Sequence, residues 1–344
     1  MTRFVQLHLL ISYPPANLNR DDLGNPKTAR LGGVERLRVS SQSLKRAWRT
    51  SELFQQQLAG TIGTRTKRLG REAFEALVSA GVGEKQATEW ASQIAKVYGA
   101  VKKDNPLEIE QLVHIAPEER TSLDALVATL AQEKRAPSDE ELDALLHKQT
   151  AVDIAMFGRM LASKTEHNGE AAVQVAHAIG VHASAIEDDY FTAVDDLNKD
   201  DSGAAHIGES GFAAAVFYQY LCIDRDLLKK NLGGDEELTQ RALIALTEAA
   251  VKVGPSGKQN SFASRAYAHY VLAEKGAQQP RSLSLAFVKP VAGSDYAADA
   301  VGVLQHLRNN MNKVYGDCAD AHCELDVLKG EGSLAELLDF VVAE

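Results

Sequence analysis

From Val39 to Arg49 the chain reads Val-Ser-Ser-Gln-Ser-Leu-Lys-Arg-Ala-Trp-Arg, which has the period of a short helix with two chemically opposed faces. At about 100° per residue, Gln42, Lys45, Arg46 and Arg49 share one side and Leu44, Ala47 and Trp48 the other. Such a helix must lay its apolar side on something wider than itself, and the residues before it supply a candidate. Residues 4–12 have the length and apolar content of a buried strand, with Tyr13-Pro14-Pro15 as its stop. Arg36-Leu37-Arg38-Val39 alternates as a second strand and delivers the chain into the helix. With the strands and helices expected in the last third, an α+β fold is expected. Ser40 or Ser41 can cap the first turn, and free N–H groups joined by hydroxyls and cations suit a phosphate.

The polar stretch between the two strands, residues 17–33, carries Asn19-Arg20-Asp21-Asp22, Gly24-Asn25-Pro26-Lys27 and Gly32-Gly33, and reads as a long loop. Loops of this length in a compact domain are usually functional. Strand, loop, strand and capped helix together bring Asn19, Arg20, Lys27, Arg38, Ser40 and Lys45 within reach of one surface.

Charge supports that surface. The chain carries a formal net charge of −10, but residues 1–71 hold 13 Lys and Arg against 4 Asp and Glu, a local net of +9, leaving −19 for the rest. A basic end on an acidic chain argues for one local groove rather than indiscriminate nucleic-acid binding. No apolar run reaches membrane-spanning length, the first residues resemble neither a signal peptide nor an anchor, and three cysteines are too few for a disulfide framework. A soluble protein of the reducing cytoplasm, with no membrane partner, is expected.

Further along, residues 72–180 read as a helical insertion. Ser138 and Glu141 form a capping box before the Leu142, Leu145, Leu146 stripe, and Ala-rich helices are expected over residues 151–161 and 171–179. Residues 188–211 are acidic and turn-rich, yet contain Tyr190-Phe191-Thr192-Ala193-Val194, apolar side chains that need a surface to meet. The final third is expected to hold strands at 212–223 and 283–288 and helices at 236–253, 297–314 and 333–342.

Leu18-Asn19-Arg20-Asp21-Asp22, Gly32-Gly33, Val39 to Arg46, Gly158-Arg159-Met160, Phe191-Thr192-Ala193-Val194-Asp195-Asp196 and Ala205-His206 follow one another in an order and spacing that resembles the CasC-type backbone subunit of the type I-E CRISPR Cascade complex. The likeness runs through most of residues 1–225, is weak in the helical insertion and is only architectural beyond about Gly254. The resemblance implies a modified RNA-recognition-motif (ferredoxin-like) palm over residues 1–71 and 212–344, helical fingers over 72–180 and a thumb hairpin over 186–211. It implies a non-catalytic subunit that oligomerises, about six copies together, along a guide RNA (crRNA). Its other partners would be target DNA, met through that RNA, and the large, small, tail-capping and guide-processing subunits of Cascade. Carried over by motif, Asn19, Arg20, Lys27, Ser40, Gln42, Lys45, Arg46 and Arg49 look like a grip on the RNA backbone. Arg38 joins them from the strand reading. Met160 looks like an apolar wedge beside a base, and Phe191 and Thr192 match a thumb that displaces bases at intervals. Taken alone, Met160 and Phe191 would be read as core fillers.

Catalysis is the competing class, in the form of a metal-dependent ribonuclease on a related fold. Asp21-Asp22, Asp188-Asp189 and Asp195-Asp196 could be drawn as metal ligands, but neighbours on a strand point to opposite faces. His177 and His182 are five apart and share no helix face, and Cys318, His322 and Cys323 lack zinc spacing. No catalytic residue, metal or cofactor is therefore expected.

Overall fold

The structure, a computed structural model, describes residues 2–146, 151–161, 164–193 and 206–343. Asp195, Asp196, Val194 and Ala205 lie outside the described residues. In chain order come β1 (Phe4–Ala16), β2 (Thr28–Leu31), β3 (Val34–Val39), α1 (Ser41–Arg49) and α2 (Glu52–Gln57). Then follow β4 (Thr64–Thr66), α3 (Leu69–Ser79), α4 (Glu84–Tyr98), β5 (Val113–Ile115), α5 (Pro117–Glu133), α6 (Asp139–Asp143) and α7 (Val152–Phe157). The chain continues through β6 (Val173–Val175), β7 (Ala178–Gly180), β8 (Glu187–Ala193), β9 (His206–Asp224), α8 (Arg225–Asn231), α9 (Glu236–Lys252) and α10 (Gln259–Phe262). It closes with β10 (Ala268–Gly276), α11 (Tyr296–Tyr315), β11 (Ala321–Asp326) and α12 (Leu334–Val342).

These elements form two compact units, one of Met1–Phe54, Gln174–Ile223 and Leu243–Glu344, the other of Gln55–Val173 and Asp224–Ala242. The first is built on a sheet of order β11-β10-β1-β9-β7-β3-β2, with β6 and β8 also paired to β9. Within it, β10-β1-β9-β7 places four strands as fourth, first, third and second, with α1 between the first two in sequence and α9 between the last two. That is the split β-α-β order of a ferredoxin-like domain, widened by the β2–β3 hairpin and by β11. The fold is α+β.

β1 is central, which explains its nearly unbroken apolar run. It does not stop at Tyr13. Pro14 and Pro15 lie past Ile11, the last residue paired with β10, so their missing N–H groups cost no bond in that ladder and the strand runs to Ala16. The equally buried β10 was not foreseen, because Glu274 and Lys275 interrupt its apolar pattern. Glu274 is buried against Arg281 (2.5 Å) and Arg308 (2.8 Å), which is what permits a carboxylate there.

Three further expectations are corrected. Residues 283–288 form no strand but a single tight turn of helix at Ser284–Phe287, which sets Leu283 and Phe287 into the core. The expected helix at 171–179 is replaced by β6 and β7, because β7 fills the sheet between β3 and β9. The helix expected over 151–161 ends early, at Phe157, where Gly158 turns with φ +81°.

The second unit is mainly helical. α3, α4 and α5 pack around Leu69, Leu77, Trp90, Ile94, Tyr98, Leu123 and Leu130, and β4 and β5 form a small separate sheet. The Ser138–Glu141 capping box is present and opens α6.

Candidate nucleic-acid interface

The start of α1 is stitched to the loop before it. Ser40 caps the helix by accepting the Ser43 N–H on its Oγ (3.2 Å), and the Asn19 carboxamide accepts the Ser40 N–H (2.9 Å). Asn19 therefore holds the helix start in place as well as lining it. The loop is more ordered than its composition suggests. Arg20 and Pro26 bridge, the Lys27 N–H reaches the Asn19 carbonyl (2.8 Å), and the Arg38 N–H reaches the Lys27 carbonyl (2.8 Å). Asp21 accepts the N–H groups of Leu23 and Asn25, both at 2.9 Å, so this carboxylate is spent on a turn. Buried Asn17 donates to the carbonyls of Gly24 and Gly211, both at 2.9 Å, tying the loop to the base of β9.

On this frame the cations converge. The Arg38 guanidinium donates to Nδ1 of His177 at 2.9 Å. Burial, with the neighbouring charges of Arg38, Lys27 and Lys45, holds the His177 imidazole below its ordinary pKa. Lys27, Arg38 and Lys45, far apart in the sequence, thus all lie within electrostatic reach of His177. A neutral ring that accepts at Nδ1 carries its proton on Nε2, so His177 adds a donor to the patch. Gln42 and Arg46 are exposed on α1, and Arg20 on the loop. Among the described residues, Arg20, Lys27, Arg38 and Arg46 enter no ion pair. Arg49 differs from the expectation that it shares the open face: it is only 9% exposed, and α1 buries it beside Leu44 and Trp48. The indole of Trp48 donates to the Val253 carbonyl (3.2 Å), anchoring the helix's apolar side.

Met160 and Phe191 are not core fillers. The Gly158-Arg159-Met160 run turns its arginine inward and its methionine outward. Arg159 is buried, donating to both Glu119 oxygens (2.8 and 2.7 Å) and to the carbonyls of His114 (3.3 Å) and His167 (3.1 Å), while Met160 is 80% exposed. Phe191 and Thr192 lie on β8, which pairs with the outer end of β9 as a hairpin and is exposed along its whole length. Phe191 opposes Gly208, where a side chain would run into its ring, and it remains 43% exposed. Tyr190 and Ile207 are exposed beside it.

Sequence reasoning missed Asn17 and His177 as parts of this site. His177 sits in the run misread as a helix, so no face could be assigned to it. Asn17 opens the polar loop, and only the distant Gly211 carbonyl reveals its task. Asp188 and Asp189 are exposed on β8. Among the described residues, no group of three or more His, Cys, Asp or Glu side chains could hold a metal ion, and no helix is long and apolar enough to cross a membrane. Cys318 and Cys323 are free thiols, partly exposed.

A patch of polar donors and cations, on a ferredoxin-like sheet with an exposed hairpin, can be compared with known proteins. A family model, CT1975-like protein, of a Cas family, matches residues 5–336. The chain belongs to the CT1975-like family. No curated protein sequence matches it at a significant level. Among solved structures, this CT1975-like chain is similar to a chain of a CRISPR RNA-guided surveillance complex in a pre-nicking state, with 30% identity and a TM-score of 0.85, over 98% of this chain and 99% of that one. A chain of another CRISPR RNA-guided surveillance complex is 27% identical with a TM-score of 0.63, over 98% of both.

Proposed function

We propose that this chain is the guide-RNA-binding backbone subunit of an RNA-guided CRISPR surveillance complex, of the CasC type, acting as a grip and not as a nuclease. The observation that carries this reading is the convergence of Lys27, Arg38, Lys45 and His177 beside a helix start whose cap is fixed by Asn19. Donors and cations of this kind hold phosphates, and phosphate contacts position a strand without reading its sequence. That suits a guide, whose bases must stay free to pair with DNA. Similarity over nearly the full length to chains of two surveillance complexes supports the same reading.

In this reading the sheet of the first unit is the palm, with Asn19, Arg20, Lys27, Arg38, Ser40, Gln42, Lys45 and Arg46 along the strand. The helical unit is the fingers, with Met160 as an apolar wedge. The β8–β9 hairpin is the thumb, presenting Phe191 and Thr192 to the RNA of a neighbouring copy and displacing a base at regular intervals. Buried Arg49 supports α1 from beneath. Asp21 is committed to its turn, and this favours a grip over metal-assisted hydrolysis, which needs convergent free carboxylates.

The test is assembly on RNA. The full chain mixed with a spacer-length RNA should form an ordered filament visible by electron microscopy and leave the RNA intact with Mg²⁺ present. A variant lacking residues 189–196 should stay folded and bind RNA weakly but form no filament. Unfolding of that variant would make Phe191 a core residue, and Mg²⁺-dependent cleavage by the full chain would make the protein a ribonuclease.

A further inference from the structure

The cationic strip of α1 leads somewhere. Gln42, Arg46 and Thr50 are spaced four apart and all exposed, so they form one line along the helix, and Thr50 ends it as a wall of a cleft of about 910 Å³. Every residue lining that cleft belongs to the first unit, and the opposite wall is the segment around α10. We propose that this cleft binds a further nucleotide of the single-stranded RNA, its phosphate held by Arg265 and its base laid on Tyr267, so that the strand's track continues beyond α1. The proposal rests on the RNA-binding reading above and extends it.

The wall has the chemistry for this. Ser264 is 1% exposed, and its hydroxyl has no hydrogen-bond partner among the described residues. The Gln259 amide nitrogen is also buried and unpartnered. Both can donate, and buried donors left unmatched within the chain mark a place where something else accepts. The four residues of α10 are bracketed by Lys258 (φ 45°) and Ala263 (φ 48°), non-glycine residues in left-handed backbone, a conformation kept where the surroundings impose it. Arg265 is exposed and enters no ion pair among the described residues. Tyr267 is 66% exposed at the rim. A planar guanidinium fork matches phosphate oxygens, and an open ring gives any base a stacking face. Against these stands one lining carboxylate, Glu52, and Lys252 is tied to Glu248 at 2.6 Å. An anionic strand meets Arg265 on this wall, and the apolar remainder of the lining offers surface to its base.

Arg265→Ala and Tyr267→Ala remove exposed side chains and test the cleft without touching the core. Binding of the full-length variants to a fluorescent 12-nucleotide oligouridine should weaken about tenfold for Tyr267→Ala, in line with one lost stack. For Arg265→Ala the log–log salt slope should fall by about 0.7, one phosphate contact on a single strand. Lys45→Ala is the companion. If it weakens binding while both cleft variants match the wild type, the track ends at α1 and this proposal is wrong, although the helix reading stands. If Lys45→Ala also has no effect, the reading beneath it fails as well. Loss of filaments with unchanged oligouridine binding would show that the cleft receives a neighbouring copy, and would overturn the proposal.

Discussion

His177 organises the cationic patch at the scale of single residues. Burial and the charges of Arg38, Lys27 and Lys45 keep its imidazole neutral at pH 7, and because the shift is downward the free fold loses stability, rather than gaining it, as pH falls through the ordinary histidine range. A bound phosphate that offsets those three cations and draws the Arg38 guanidinium off Nδ1 frees that nitrogen, so binding should take up a proton. RNA affinity is therefore expected to rise as pH is lowered from 7.5 to 5.5, and His177→Gln should flatten that rise. An identical pH profile in the variant, measured by fluorescence anisotropy, would remove His177 from the site. The arginines show where sequence reading stops. Arg36 and Arg38 alternate on one strand, yet Arg38 reaches His177 on the surface while Arg36 is fully buried, donating to the carbonyls of Gly180 (3.0 Å), Phe287 (3.1 Å) and Val288 (3.3 Å). Its partners lie 144 to 252 residues away, beyond any local pattern. Arg49 and Arg159 were basic letters in the sequence for the same reason, and both are buried in the fold.

At the scale of elements, the β2–β3 hairpin carries the loop side of the interface. Leu31 pairs with Val34, so Gly32-Gly33 is a two-residue turn with φ of +62° and +83°, the type that twists with its strands. The two glycines are not equivalent. A Cβ on Gly32 would fall 1.6 Å from the Val288 carbonyl oxygen, whereas one on Gly33 would meet nothing within 4 Å. Gly33→Ala should cost about 1–2 kcal/mol, the strain of left-handed backbone alone. Gly32→Ala should cost more and weaken RNA binding by moving Lys27 and Arg38. Equal urea midpoints for the two variants would contradict the close approach. Legibility tracked locality here. α1, α6, α9, α11 and α12 are written in caps and apolar period, and the structure has each of them. β6, β7 and β10 were hidden because their sheet neighbours, distant in sequence, decide them, and a short apolar run is ambiguous until those neighbours are known.

At the scale of the whole molecule, the charge is divided so that binding stays local. A net of +9 in residues 1–71 is set against −19 elsewhere, which discourages stray polyanions away from the basic segment. That division, the motif order and the α+β class were open to reading from the sequence. The convergence on His177 and the inward turn of Arg49 were not, since both depend on how β3, β7 and α1 meet in the sheet. If the α1 track grips phosphates irrespective of base sequence, its salt dependence is the same on any single-stranded RNA. Affinity of the full chain should be measured from 50 to 200 mM salt on two RNAs of equal length and unrelated sequence, for the wild type and the Lys27→Ala, Lys45→Ala, Arg46→Ala triple variant. Equal loss on both RNAs is expected, with a log–log slope smaller by about 2, three phosphate contacts at about 0.7 each. An unchanged slope in a folded triple variant, or a loss confined to one sequence, would contradict it.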